Sequence, residues 1–216
     1  TYYPFADNID TALKSNALSM YNFATYTHNE FPAYMMSLAE MDLLLAEAVL
    51  KGYLNTGKSA GGHVEDAVIH STDFWYDIHS LSGWQTSVDA IHPPRPSESV
   101  TVAYAEKVKA NFDSQSDLEE KMEVLMQQKY IHLNIMGVKE LFAELRRTRH
   151  PRLEPMTFQG KVMKPTPERI RYPATALTTN PENYIKVRGQ DNFTSHIFWV
   201  PEGKRNESYY KDDYSY

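Results

Sequence analysis

Prolines set the limits on what this chain can fold into. Six of its twelve, Pro151, Pro155, Pro165, Pro167, Pro173 and Pro181, crowd one stretch toward the C-terminal end. Each fixes φ and removes a backbone donor, so no long helix or central strand passes through that stretch. Ahead of Pro151 the chain is periodic instead. From Ala33, after Pro32, the apolar residues Met35, Leu38, Met41, Leu45 and Ala48 recur at three and four, and Gly52 supplies a stop. Gly57, Gly61 and Gly62 read as a link. A second helix follows from about Val64 to His79, with Val64, Ala67, Val68, Ser71, Trp75 and Ile78 as its stripe. Two amphipathic helices joined by a short glycine-containing link form an antiparallel hairpin. Leu38, Met41, Leu45, Val68 and Trp75 are expected to be buried in it.

Residues 1–31 lack a sustained period and read as an irregular lead-in. Residues 80–97, with Gly83, Trp84 and the run His92-Pro93-Pro94-Arg95-Pro96-Ser97, read as an exposed loop. A third helix spans roughly Ser99 to Phe112. A fourth begins near Ser116, paired with Glu119 as a capping box, and turns Leu118, Met122, Leu125, Met126 and Tyr130 inward. Asn134 to Gly137 interrupts it before a last helix from Val138 to Arg147. Short strands are expected near Phe158–Val162 and Ile197–Val200, and the polar, tyrosine-rich tail from Glu207 reads as loosely held. The fold class is therefore mainly α: helical hairpins followed by a long irregular, loop-rich C-terminal segment. Residues 1–216 form one domain, with 31–150 as the helical core and 151–216 as an irregular wrap and tail.

Composition excludes several functions. A net charge of -6, with 22 Lys and Arg against 28 Asp and Glu, argues against gripping nucleic acid, which needs clustered cations. There is no cysteine, hence no disulfide, thiolate nucleophile or Cys-ligated metal. No apolar run approaches the ~20 residues of a membrane span. The chain opens Thr1-Tyr2-Tyr3-Pro4 without an initiator Met and reads as a processed product or fragment, with any signal peptide or lipid-bearing Cys on sequence not shown.

Two blocks carry a family resemblance. The first is Ala39-Glu40-Met41-Asp42-Leu43-Leu44-Leu45-Ala46-Glu47-Ala48 with Gly52, followed by a helix ending Phe74-Trp75-Tyr76. The second runs from Gln127-Gln128-Lys129-Tyr130 through Glu140-Leu141 to Glu144-Leu145-Arg146-Arg147-Thr148 and Pro151. Arg169-Ile170-Arg171-Tyr172-Pro173, Asn180-Pro181-Glu182-Asn183 and the pair Phe198-Trp199 follow in order. This succession resembles the SusD/RagB family of nutrient-binding outer-membrane lipoproteins, in its C-terminal part. Departures are local: Tyr130 stands where the family usually has Trp, Arg149 where it often has Gly, and Ala176 in place of an acidic residue. The resemblance implies tetratricopeptide-like helical hairpins. It further implies a protein lipid-anchored, through its missing N-terminal part, at the external face of the outer membrane. There it would cap a SusC-like TonB-dependent transporter and hand it glycans or other nutrients.

Few residues invite chemistry. Arg146 and Arg147, and the Arg-x-Arg-Tyr-Pro block, read as fold determinants, because cations at a helix C-terminus satisfy free carbonyls. The eight histidines show no pair at i and i+4 with a Glu between, so no metal is expected. Glu40, Glu47, Glu119, Glu120 and Glu123 read as solvated helix faces. No nucleophile-elbow or phosphate-loop motif occurs, and the reading is of a non-enzyme without cofactor. Fifteen Tyr and three Trp are the unusual feature, since such rings pack against sugar C–H faces. Trp84 is the best candidate stacking face, with Tyr76 and Arg95 as polar neighbours; Trp75 and Trp199 read as packing residues. A tetratricopeptide-like protein–protein adaptor without small ligand is the alternative, although no second copy of the first hairpin's pattern is found.

Overall fold

The computed structural model describes residues 21–82, 94–153, 157–158, 161–162 and 167–210. The chain divides into two compact units, one within residues 8–141 and the other containing 142–216.

The first unit is built from α1 (Phe23–Tyr26), α2 (Leu38–Leu50), α3 (Ala60–Ser80), α4 (Glu98–Ser114) and α5 (Leu118–Leu133). α6 (Val138–Thr148) follows, and the division between the units falls within it. α2 starts at Leu38 rather than Ala33 because the Ser37 side chain accepts the Glu40 N–H at 3.1 Å. That cap satisfies a donor with no intrahelical partner and leaves the preceding residues non-helical. The helix stops as expected. The N–H groups of Gly52 and Tyr53 reach back to the Val49 and Ala48 carbonyls at 3.0 and 2.8 Å. Gly52 has the positive φ, +72°, that this closure requires.

α3 begins at Ala60, earlier than its periodicity indicated, and takes Gly61 and Gly62 into its first turn. A Cβ on Gly61 would run into the Asp113 carboxylate of α4. These glycines, expected in a link, instead permit a close approach of two helices.

α3 packs against both α2 and α4, and α5 lies against all three. Ala46, Val64, Val68, Ala105, Val108, Phe112, Met122, Val124, Leu125 and Met126 form the core. The face that α2 buries is not the expected one. Ala39, Asp42, Leu43, Ala46 and Glu47 turn inward, whereas Leu38 and Met41 are 56% and 46% exposed and Leu45 is half-buried. α2 is apolar almost all round, so its periodicity does not choose a side; α3 and α5 take the one where Ala39 and Ala46 admit a neighbouring backbone. Val68 is buried as expected, and Trp75 is half-buried. On α5 the N-cap is Asp117, whose carboxylate accepts the Glu120 N–H at 2.8 Å. The capping pair thus sits one residue beyond Ser116 and Glu119. Met122, Leu125 and Met126 point inward as expected, while Leu118 and Tyr130 are exposed.

The second unit has little regular structure: a minimal antiparallel hairpin, β1 (Thr157–Phe158) with β2 (Lys161–Val162), and the short helices α7 (Ala176–Thr179) and α8 (Pro181–Val187). Ile197–Val200, expected as a strand, closes as a turn with the Val200 N–H on the Ile197 carbonyl at 3.0 Å. Side chains organise this unit instead. The Arg146 guanidinium lies 4.0 Å from the Phe142 ring centre and 4.7 Å from that of Trp199, and donates to the Glu168 carbonyl at 3.1 Å. Arg149 is 1% exposed and adopts φ +63°. It donates from Nε to the Lys204 carbonyl at 2.6 Å, pairs with Glu168 at 3.1 Å and lies 4.2 Å from the Tyr209 ring centre. Asp191 gathers the Tyr172 N–H at 2.9 Å and the Tyr184 hydroxyl at 3.0 Å. Those donors, the backbone N–H foremost, hold its carboxyl below the usual range.

Candidate functional site

Aromatic rings gather where α1 meets α3. Tyr21 and Tyr26 stand edge to face at 5.6 Å, and Tyr26 lies 5.3 Å from Trp75. Trp75 meets Phe74 at 5.1 Å, and Phe74 meets Tyr34 at 4.9 Å. The row is held from beneath. The Trp75 indole N–H donates to the His132 carbonyl at 3.0 Å. The buried His132 ring itself bridges Ser37 at 2.5 Å and Ser71 at 2.8 Å. Burial pushes the His132 pKa down to about 4, so the ring is neutral and exchanges hydrogen bonds with the two hydroxyls.

Above the row opens a cleft of about 220 Å³, lined by Tyr21, Asn22, Thr25, Tyr26, Trp75, Tyr76 and His79. Thr25 and His79 are linked at 2.8 Å through Oγ1 and Nδ1. Burial raises the Tyr26 hydroxyl to about 12, with Tyr21 and Tyr34 adding to it, so this phenol stays protonated at neutral pH. Cavities that enclose a whole drug-sized ligand run about 300–1,000 Å³. This one is the size of a single ring unit, and its lining offers aromatic faces beside an amide, hydroxyls and an imidazole.

Of the residues expected to bind, Tyr76 lines this cleft. Arg95 does not line it and instead pairs with Asp73 and, at 2.6 Å, with Asp77 on the same helix. Trp84 lies outside the described residues. The sequence reading missed Tyr21, Tyr26 and His79 as a group. Tyr21 and Tyr26 fall in a lead-in without period, and the four-residue helix α1, which ends at Tyr26, packs on α3.

A second, wider cleft of about 470 Å³ is lined by residues that include Phe31, Tyr34, Met35, Glu40, Met136 and Glu140. Two carboxylates therefore border one opening. Glu140 is exposed, however, and a glycosidase's acid sits against apolar walls. Among the described residues one set of metal-capable side chains comes together, Asp42 with His63 and Asp66.

A family model described as "SusD-like: Susd and RagB outer membrane lipoprotein" matches residues 1–200. Among solved structures, a SusD-like protein of Bacteroidetes AC2a is 18% identical, with a TM-score of 0.64 over 94% of this chain and 40% of its own. A SusD homologue from Bacteroides fragilis is 23% identical, with a TM-score of 0.59 over 78% of this chain and 35% of its own. One from Bacteroides vulgatus is 26% identical, with a TM-score of 0.55 over 82% of this chain and 37% of its own. The chain thus spans well under half the length of these structures. No curated protein matches it. The helical unit, the side-chain-organised second unit and a family match over most of the length agree: this chain belongs to the SusD/RagB-like family of outer-membrane lipoproteins.

Proposed function

We propose that the chain is the glycan- or nutrient-binding, non-enzymatic C-terminal part of one SusD-like domain. In this reading residues 31–150 are its helical core and 151–216 its irregular wrap. The protein acts at the external face of the outer membrane, anchored by lipid on preceding sequence, and passes its ligand to a SusC-like TonB-dependent transporter. The observation that carries the reading is the cleft over α1 and α3, where Tyr21, Tyr26, Trp75 and Tyr76 offer ring faces beside Asn22, Thr25 and His79. A pyranose presents C–H groups to a ring and hydroxyls to its border, and burying those hydroxyls unpaired is costly. We further propose that Trp84 contributes a stacking face, with Tyr76, through its hydroxyl, or Arg95 as a polar neighbour.

Isothermal titration of the whole gene product against a panel of soluble polysaccharides tests this. Tyr21→Ala, Tyr76→Ala and Trp84→Ala should each weaken binding about fivefold or more, as the loss of roughly 1 kcal/mol of ring stacking implies. Melting temperature should hold for Tyr21→Ala, because that ring is 53% exposed. Unchanged affinity in all three variants defeats the proposal. The exposed apolar row Met35, Leu38 and Met41 favours a second reading, a protein–protein adaptor. It expects partner binding that needs no sugar and is lost in Met41→Asp.

A further inference from the structure

Asp42 on α2 and His63 and Asp66 on α3 each place a ligand atom within 4.8 Å of the other two. Asp42 and His63 are buried, with 6% exposure each, and Asp66 is half-buried. His63 is tied down at one ring nitrogen. Its Nε2 lies 2.7 Å from the Thr56 hydroxyl, and that hydroxyl donates its own proton to the Lys58 carbonyl at 3.3 Å. In the tautomer that donates from Nε2 to Thr56, Nδ1 carries a lone pair free for a cation. That Nδ1 is buried, has no hydrogen-bond partner, and faces the Asp42 carboxylate at 4.0 Å. That gap is too long for a hydrogen bond, so neither tautomer satisfies this nitrogen through Asp42.

We propose that Asp42, His63 and Asp66 form a binding site for one zinc-class divalent ion that staples α2 to α3. Bonds of about 2.0–2.2 Å from nitrogen and carboxylate oxygen to such an ion span just over 4 Å when opposed, and about 3.4 Å in a tetrahedron. The His63–Asp42 gap already lies in that range. The widest spacing closes by roughly 1–1.5 Å, within the broad terminal torsions of Asp and His. The outer shell is in place as well. His70 Nδ1 holds the other Asp42 oxygen at 2.6 Å, and the Thr56 hydroxyl holds the far ring nitrogen of His63 at 2.7 Å. Metal-bound imidazoles and carboxylates depend on such partners for orientation. Lys58 pairs with Asp66, so the site keeps two carboxylates and one ammonium against the incoming charge. An imidazole ligand selects against magnesium and calcium, which take oxygen shells. Asp66 and His70, both half-buried, mark the way in.

The test uses the tag-free whole gene product, stripped with chelator and titrated with zinc chloride against a chromophoric competitor. One equivalent should bind. Asp66→Asn and His63→Leu should each weaken it at least tenfold, and His196→Ala should leave it unchanged. Zinc should raise the melting temperature of the parent protein, and calcium or magnesium should not. Asp66 is half-buried, so Asp66→Asn should fold, and a circular dichroism spectrum matching the metal-free parent verifies this. No stoichiometric binding, binding untouched by both substitutions, or calcium binding as tight as zinc overturns the proposal.

Discussion

His132 shows how much one side chain can govern. It ties the cap of α2, through Ser37, to the middle of α3, through Ser71, and its carbonyl fixes the Trp75 indole under the aromatic cleft. Its pKa is about 4 in the folded chain, against ~6.5 when unfolded. The unfolded state therefore binds more protons between those values, and stability falls as pH drops from about 6.5 to 4. The shift corresponds to a loss of roughly 3 kcal/mol, with little further change from this group below pH 4. Urea midpoints from pH 7 to 4.5 should show that slope in the parent protein and a flatter one in His132→Gln. No local pattern marks His132 in the sequence, because both its partners arrive from other helices. The Asp42, His63 and Asp66 cluster escaped for the same reason. His63, Asp66 and His70 sit at i, i+3 and i+7 along one face of α3, a spacing compatible with shared ligation, but Asp42 comes from α2.

Among the elements, the helices were legible and their faces less so. Gly52 and the break at Asn134 stop α2 and α5 where the sequence indicates, because closures with positive φ are written in residue type. α2 misled through its excess of apolar residues. With Leu, Met or Ala on nearly every side, the inward face is chosen by α3 and α5, not by α2 itself. Leu43→Ala should therefore cost about 2–5 kcal/mol, as for other buried leucines, while Met41→Ser should stay within about 0.5 kcal/mol, as exposed positions do. Denaturant unfolding of the two variants distinguishes the observed face from the one the periodicity indicated. The pair Phe198-Trp199 divides similarly. Trp199 packs on Arg146 as expected of it, whereas Phe198 stands 91% exposed.

Across the whole molecule, the contrast between a periodic first part and a proline-punctuated second was plain in the sequence. What was not legible was the means of holding the second part together. Arg149 occupies a conformation that glycine adopts freely, and its side chain offsets that cost by joining Glu168, the Lys204 carbonyl and the Tyr209 ring. A chain ending at Val200 should strand this buried guanidinium and unfold the second unit. In hydrogen exchange, amides of residues 142–200 should lose protection while those of α3 and α5 keep theirs. The Leu153 N–H also bonds the Tyr209 carbonyl, at 2.7 Å, so two separate ties reach the same late segment. Arg149 meets the Lys204 carbonyl across a sequence separation of 55 residues. A loop of that size closes late, since its entropy must be spent before any contact rewards it. During synthesis the helices of the first unit can settle as they emerge. The second has to wait, open and open to proteases, until residues 204 to 209 have been made.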